Sequence, residues 1–480
     1  VIFNSFEFIF LFLPIVFIVY FLFNKINFTI SKVWLLFASL FFYGYWNPSY
    51  LPLILVSLVV NFIIGSLLSK RHVHSFRKTI LTIGIIFNVC LLGYYKYYDF
   101  FVENVNTFFG TNLPILNLLL PLAISFYTFQ QIAYLVDSYR RETEDYNFLN
   151  YGIFVTFFPQ LIAGPIVHHS DVMPQFADRK NRKINYENIS LGLFIFAIGL
   201  FKKVVLADTF AIWANKGYAM TESLTFLDSW ATALAYTFQL YFDFSGYSDM
   251  AIGLALLFNI KLPINFNSPY KALDIQDFWR RWHITLSGFL TKYIYIPLGG
   301  NRKGSTRTYI NIFLIFFISG IWHGAGWTFI LWGTLHGLAS IIARLWKKAG
   351  FKLNKWIAWF ITFQFVNATW VFFRAPSISE ALNVLKAMIG LNGVYLPKEI
   401  KVYLPNISSE NFYQFPLEQS LVFIFSSLLI GMILAFLMRN SIELTKNMKP
   451  NWFNAIFTSA LLLYCFTQLL NVSEFLYFNF

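Results

Sequence analysis

Charge is scarce in this sequence. Its 36 Lys and Arg and 23 Asp and Glu make up 12% of 480 residues, about half the roughly 25% of a soluble domain. A water-facing surface cannot be built from so few. This excludes the run of soluble domains that the length alone suggests at roughly 150 residues each. Cysteine is scarcer still. Cys90 and Cys465 are the only two, both in apolar runs, which excludes a disulfide framework or a cysteine-rich zinc site and leaves the redox compartment unread. Catalytic signatures are missing as well. No G-x-S-x-G elbow supports a hydrolase-type serine, and no P-loop supports an ATP-driven pump. No His is followed five positions later by Asp, the spacing of many phospholipid acyltransferases. Internal repeats, low-complexity tracts and soluble linkers are absent too.

What is abundant is apolar. Such residues reach 57%, with 59 Phe, 27 Tyr and 14 Trp among them. The chain reads as an all-α polytopic membrane protein, one domain over residues 1–480. Apolar segments near the length of a membrane helix fall at 6–23, 33–46, 50–69, 80–98, 114–135, 151–167, 189–207, 228–258, 309–323, 327–345, 356–373, 417–438 and 453–470. Several are short or broken by Gly or Pro, as expected of re-entrant pieces buried in protein. The opening VIFNSFEFIF has no basic leader region and its apolar stretch continues to Phe23, so it is expected to be a span and not a cleaved signal.

The net charge of +13 would point to nucleic acid in a soluble protein. Here the basic residues sit between apolar stretches, as topology signals and lipid-headgroup contacts do, so a lipid bilayer and no nucleic acid is the expected partner. Lys25, Lys32, Lys70, Arg71, Arg77, Lys78, Arg302, Lys303, Arg307, Arg344, Lys347, Lys348, Lys352 and Lys355 mark cytoplasmic loops. That places the N-terminus outside, together with the less basic loop 375–416. Its amphipathic stretch Ile378–Ile389 suits the interface.

Polar residues inside spans are costly and are the functional suspects. His72 and His74 lie in a basic loop, where solvated charge is the simpler reading. His168 and His169 follow AGPIV at a span end, and a loop role is favoured there. His283 lies in DFWRRWHITLS with Asp277, Arg280, Arg281 and Trp282; a juxtamembrane basic collar with an aromatic belt is the plain alternative. His323 lies in ISGIWHGAGW among Gly320, Gly324 and Gly326, which let a backbone or substrate approach closely. A hydrogen-bonded histidine between packed helices would look the same. His336, in LWGTLHG, reads first as packing. Imidazole suits acyl transfer because its ordinary pKa, about 6.5, lets it take a hydroxyl proton near neutral pH. Metal binding is not expected, since His323 and His336 lack the short spacing and acidic companion of a helical metal site. The loop YIPLGGNRKG offers two glycines beside Arg302 and Lys303, which could hold donor phosphates.

Three runs then stand out together: YFDFSGYSDMAIGLALLFNIKLPINFNSPY, DFWRRWHITLSGFLTKYIYIPLGGNRKG and SGIWHGAGWTFILWGTLHG. With FNSFEFIFLFLP, SFYTFQQIAYLVDSYR, FPQLIAGPI, WVFFRAPS and EFLYFNF in the same order, the chain strongly resembles the membrane-bound O-acyltransferase family over nearly its whole length. Within it, the likeness is to the bacterial branch that O-acetylates alginate or peptidoglycan. The resemblance implies about eleven transmembrane helices plus short re-entrant helices around a central tunnel, in the bacterial cytoplasmic (inner) membrane. It implies that His323, in the family's WHG motif, is catalytic. His283, in RRWH, is the second polar position, expected to orient the thioester carbonyl or stabilise its oxyanion. Arg280, Arg281, Trp282, Arg302 and Lys303 become candidates for holding the donor, and Trp322, His336 and Asp277 further tunnel candidates. The donor is expected to be acetyl-CoA, a substrate and not a bound cofactor, with no metal. The acceptor is expected to be a cell-envelope glycan, peptidoglycan before a secreted exopolysaccharide such as alginate. The acetyl group is expected to pass to an extracytoplasmic O-acetyltransferase or esterase-like partner protein. A teichoic acid D-alanyl transferase, with a carrier-protein thioester donor, is a more distant relative. A lipid-linked sugar transporter or flippase is the rival of another class, though no inverted-repeat signal favours it.

Overall fold

The computed structural model describes residues 2–69, 76–143, 147–404, 406, 408–417, 419–446, 448–470 and 475–476. His72, His74, Lys70 and Arg71 lie outside the described residues. Eight helices among those described are long and apolar enough to cross a membrane: Glu7–Ile26, Phe28–Trp46, Pro48–Ser69, Arg77–Phe109, Tyr186–Tyr218, Gly304–His323, Trp327–Lys348 and Lys355–Arg374. Their outward residues, such as Phe10, Ile18, Phe37, Ile86 and Ile342, are exposed, which is tolerable only where lipid replaces water. Leu421–Phe436 and Trp452–Gln468 are shorter apolar helices. Strand structure among the described residues is confined to Leu396–Pro397 paired in parallel with Phe412–Tyr413.

The protein is organised around one helix, Phe226–Leu257, whose 32 residues span about 48 Å at 1.5 Å per residue. It is buried along nearly its whole length and carries Gln239, Asp243, Ser245, Ser248 and Asp249 inward. Two of these charges are paired: Lys203 Nζ lies 2.8 Å from Asp243 and 2.9 Å from Asp208, and Lys202 Nζ lies 2.6 Å from Asp249. Pairing offsets much of the desolvation that burial imposes. The lysines come from Tyr186–Tyr218, which meets the central helix backbone to backbone. A Cβ on Gly192 would stand 2.6 Å from the Gly253 carbonyl, and one on Gly199 2.6 Å from that of Gly246. Glycine one heptad apart on each helix is what permits this approach.

Two expected spans are corrected. The segment 114–135 is not one helix: residues 110–121 carry no helix, and Ile124–Arg140 begins only after them. Pro114 and Pro121 lack the amide proton a helix needs and disfavour helical backbone in the residue before them. The segment 151–167 breaks into Phe148–Thr156 and Phe158–Leu161, followed by irregular chain. In the loop 375–416, helix Ile378–Met388 buries Ala381, Val384, Ala387 and Met388, and the Trp230 indole donates to the Met388 carbonyl at 2.9 Å. Its apolar face turns into the protein, while Leu382 and Ile389 on the other side stay exposed.

Candidate active site

His323 is the last residue of Gly304–His323, and Gly324 continues in extended conformation. After Gly326 the chain returns as Trp327–Lys348. These helices form a tight hairpin because two glycines face each other. A Cβ on Gly320 would lie 2.5 Å from the Phe329 carbonyl, and one on Gly333 2.4 Å from that of Phe316. Three residues past each glycine comes a histidine, His323 on one arm and His336 on the other. Trp332 sits between them, with ring centres 5.0 Å from His323 and 4.8 Å from His336. Trp322 and Phe373 close around His323 at 4.9 and 5.2 Å, which leaves it 2% exposed.

His283 arrives from elsewhere. It joins the short helices Ile275–Arg281 and Ile284–Leu290 at φ 44°, ψ 54°, a left-handed conformation that is uncommon for a residue with a Cβ. The turn carries its ring into the chamber, 6.5 Å centre to centre from His323, and edge-on to Phe244 at 4.8 Å. Asn265 decides its tautomer. The Asn265 Oδ1 accepts from the Thr285 amide at 3.3 Å and the Thr285 hydroxyl at 2.9 Å, which identifies that atom as the oxygen. It also lies 3.1 Å from His283 Nδ1, so Nδ1 carries the proton and donates. In the neutral ring Nε2 then holds the lone pair.

Both nitrogens of His336 are committed within the protein. The Trp279 indole donates to Nδ1 at 3.2 Å, and Nε2 is 3.0 Å from the Thr369 hydroxyl. His336 thus belongs to the chamber wall. Trp322 and Trp332 bury indole N–H groups that have no acceptor among the described residues, beside His323.

Sequence reasoning missed Lys96. A π-helical turn, Gly93–Tyr97, interrupts the Arg77–Phe109 helix and presents Lys96 to the end of the His323 helix. Its Nζ donates to the Trp322 carbonyl at 2.6 Å, to Ser125 Oγ at 3.1 Å and to the His323 carbonyl at 3.4 Å. Tyr97 donates to the Ile321 carbonyl at 2.8 Å. These carbonyls are ones the helix itself leaves unpaired, and a cation there also favours the helix dipole. The one available signal was a lysine inside an aromatic span, GYYKYYDF. Asn265 was missed as well, although it falls within one of the motif runs.

The expected donor-binding residues are spread out. Arg280 is exposed, and Arg281 pairs with Asp277 at 3.0 Å. A cavity of about 190 Å³ beside Arg280 is lined by Trp279, Ser287, Thr291 and Phe316; through Trp279 it abuts His336. Asp274 caps this region, accepting from the Gln276 and Asp277 amides at 2.9 and 3.0 Å and pairing with Lys347 at 2.9 Å. Arg302 and Lys303 are exposed just before the His323 helix, at its far end and so about 30 Å along its axis from His323. Trp282 is buried among Phe266, Phe278 and Trp370. The structure therefore brings together His323, His283, Trp322 and His336, and leaves Arg302 and Lys303 apart from them.

Known proteins resemble the chain throughout. The family model described as membrane-bound O-acyltransferase matches residues 40–375. A peptidoglycan O-acetyltransferase of Helicobacter pylori is 49% identical, across 100% of this chain and 97% of its own length. A probable alginate O-acetylase of Pseudomonas aeruginosa is 41% identical over 81% of this chain and 74% of its own.

Proposed function

Because the chain belongs to the membrane-bound O-acyltransferase family, we propose that it O-acetylates a cell-envelope glycan, peptidoglycan in the first place, using a cytosolic acetyl thioester of the acetyl-CoA type. The observation that carries the reading is the pair of imidazoles, His323 and His283, 6.5 Å apart in a buried aromatic chamber. The relative named for peptidoglycan matches the whole chain and the one named for alginate four-fifths of it, which favours the first acceptor.

The charged head of the donor cannot enter hydrocarbon, so it stays at the cytoplasmic mouth, where Arg280 and Arg281, with Arg302 and Lys303 further out, supply cations. Only the thioester arm reaches the chamber. His323 takes the proton of the acceptor hydroxyl as its oxygen attacks the acetyl carbonyl. The C–S bond then breaks, and the departing thiolate takes that proton back from the imidazolium. General base catalysis of this kind contributes about 10² to 10⁴. An oxyanion needs a donor, and the His283 N–H is already engaged by Asn265. We therefore assign oxyanion stabilisation to the Trp322 and Trp332 indole N–H groups, and to His283 Nε2 the orienting of a hydroxyl or of the His323 ring. The acceptor hydroxyl belongs to an extracytoplasmic partner enzyme, whose new acetyl ester is then broken as the acetyl group moves to a glycan hydroxyl and the carrier hydroxyl is regenerated.

The test is ester-linked acetate on purified peptidoglycan from a deletion strain carrying wild type or His323→Ala at matched membrane levels. Acetate restored by wild type alone supports the reading. Acetate independent of the gene removes peptidoglycan and turns attention to secreted polysaccharide; acetate restored equally by His323→Ala removes the mechanism.

A further inference from the structure

Well away from His323 in the sequence, five side chains converge where helix Ile124–Arg140 ends. Asp137 Oδ2 is in very close contact with His168 Nε2, and lies 3.1 Å from His169 Nε2, 2.7 Å from the Tyr293 hydroxyl and 3.4 Å from Lys292 Nζ. A carboxylate oxygen has two lone pairs. His168 Nε2 is crowded too, 2.8 Å from the Tyr293 hydroxyl and 3.0 Å from Lys292 Nζ. Lys292 Nζ is also 3.2 Å from Asp137 Oδ1, so four side chains crowd onto one carboxylate.

A cation at the centre would draw on that crowding, because the carboxylate oxygen and the two imidazole nitrogens become its ligands and Lys292 is released. We propose that Asp137, His168 and His169 form a site for a divalent transition-metal ion such as zinc, which takes two imidazole nitrogens and a carboxylate oxygen. Their ligand atoms all lie within 4.8 Å of one another, so small side-chain rotations would set them around one ion at bonds of about 2.0–2.2 Å. Asp137 and His169 are buried. Ser170 Oγ stands 2.5 Å from His168 Nδ1, placed to accept the ring's other proton as partners of metal-bound histidines do, at the expense of the longer 3.3 Å contact from the Ser170 amide. Lys292 is the competitor, and it has a retreat: Glu142 Oε2 is 3.1 Å away, and both side chains are part-exposed. A cavity of about 320 Å³ lined by His168, Ser170, Lys292 and Tyr293 gives an ion its way in. The ion would pin the irregular chain after Leu161 to the end of Ile124–Arg140, a role separate from acyl transfer.

The test uses the full-length protein in detergent, purified through a tag that binds no metal and without chelator. Elemental analysis should find about one zinc per chain, and after chelation added zinc chloride should raise the unfolding temperature. His168→Asn should weaken zinc affinity at least about 10-fold while the protein elutes unchanged. Lys292→Gln should strengthen it, whereas in a cluster held by ion pairs alone it would only lower stability. Wild type without bound zinc and without response to added zinc overturns the site. So does zinc retained equally by His168→Asn, which marks it as adventitious.

Discussion

Lys96 donates to a backbone that lies more than 220 positions away in sequence, and this is why the sequence could only hint at it. Histidines beside glycine and tryptophan announce themselves in a local window; a lysine that caps a remote helix does not. Hydrogen bonds to a charged donor are worth about 1.5–3 kcal/mol, so Lys96→Met should lower acetylation roughly 30-fold at unchanged membrane level, with partial recovery in Lys96→Arg. Equal losses in both variants would count against a positioning role. Asn265→Ala releases the His283 Nδ1 proton from its acceptor, and about a tenfold loss is expected in the same acetate assay. At Asp274, burial raises the carboxyl, but Lys347 and the Asp277 and Gln276 amides outweigh it and hold it below the usual range. A carboxyl lowered by folding contributes stability above its unfolded value, about 3.9, and loses it as pH falls through the lower folded value. Asp274→Ala should therefore cost ~1 kcal/mol at pH 7. Its unfolding temperature should approach that of wild type below pH 4.

Among the elements, apolar length predicted most spans, because crossing hydrocarbon is a demand each helix meets by itself. Where several helices share the burial, the pattern misled. Residues 110–121 are apolar enough to span, yet two prolines hold them out of a helix. The hairpin that bears His323 depends on Gly320 and Gly333. Gly320→Ala drives a methyl into the Phe329 carbonyl, a backbone atom that cannot rotate aside, and should destabilise the protein by about 1–3 kcal/mol. Gly288→Ala, where a Cβ meets nothing within 4 Å, is the control in the same melting experiment.

For the molecule as a whole, the sequence set the loop 375–416 apart as a less basic segment but did not reveal that part of it is buried. Ala381, Val384 and Ala387 are in the core, so removing the loop entirely would damage the fold. The sharper experiment shortens 398–411, whose described residues are exposed apart from the half-buried Ile400, and keeps helix Ile378–Met388. Loss of partner co-purification at normal membrane level is the expected result, and unchanged co-purification would remove this loop as the dock.

The paired glycines of the central helix and Tyr186–Tyr218 leave no clearance between two backbones. Bundles that carry solutes by alternating access must rock or slide across such a seam, and here a shift of one residue would push side chains into carbonyl groups. A barrier that does not open also does not leak. On the proposed mechanism, an acetyl group would then cross from one side to the other by exchange of a single covalent bond, while the proton gradient across the same membrane is left undisturbed.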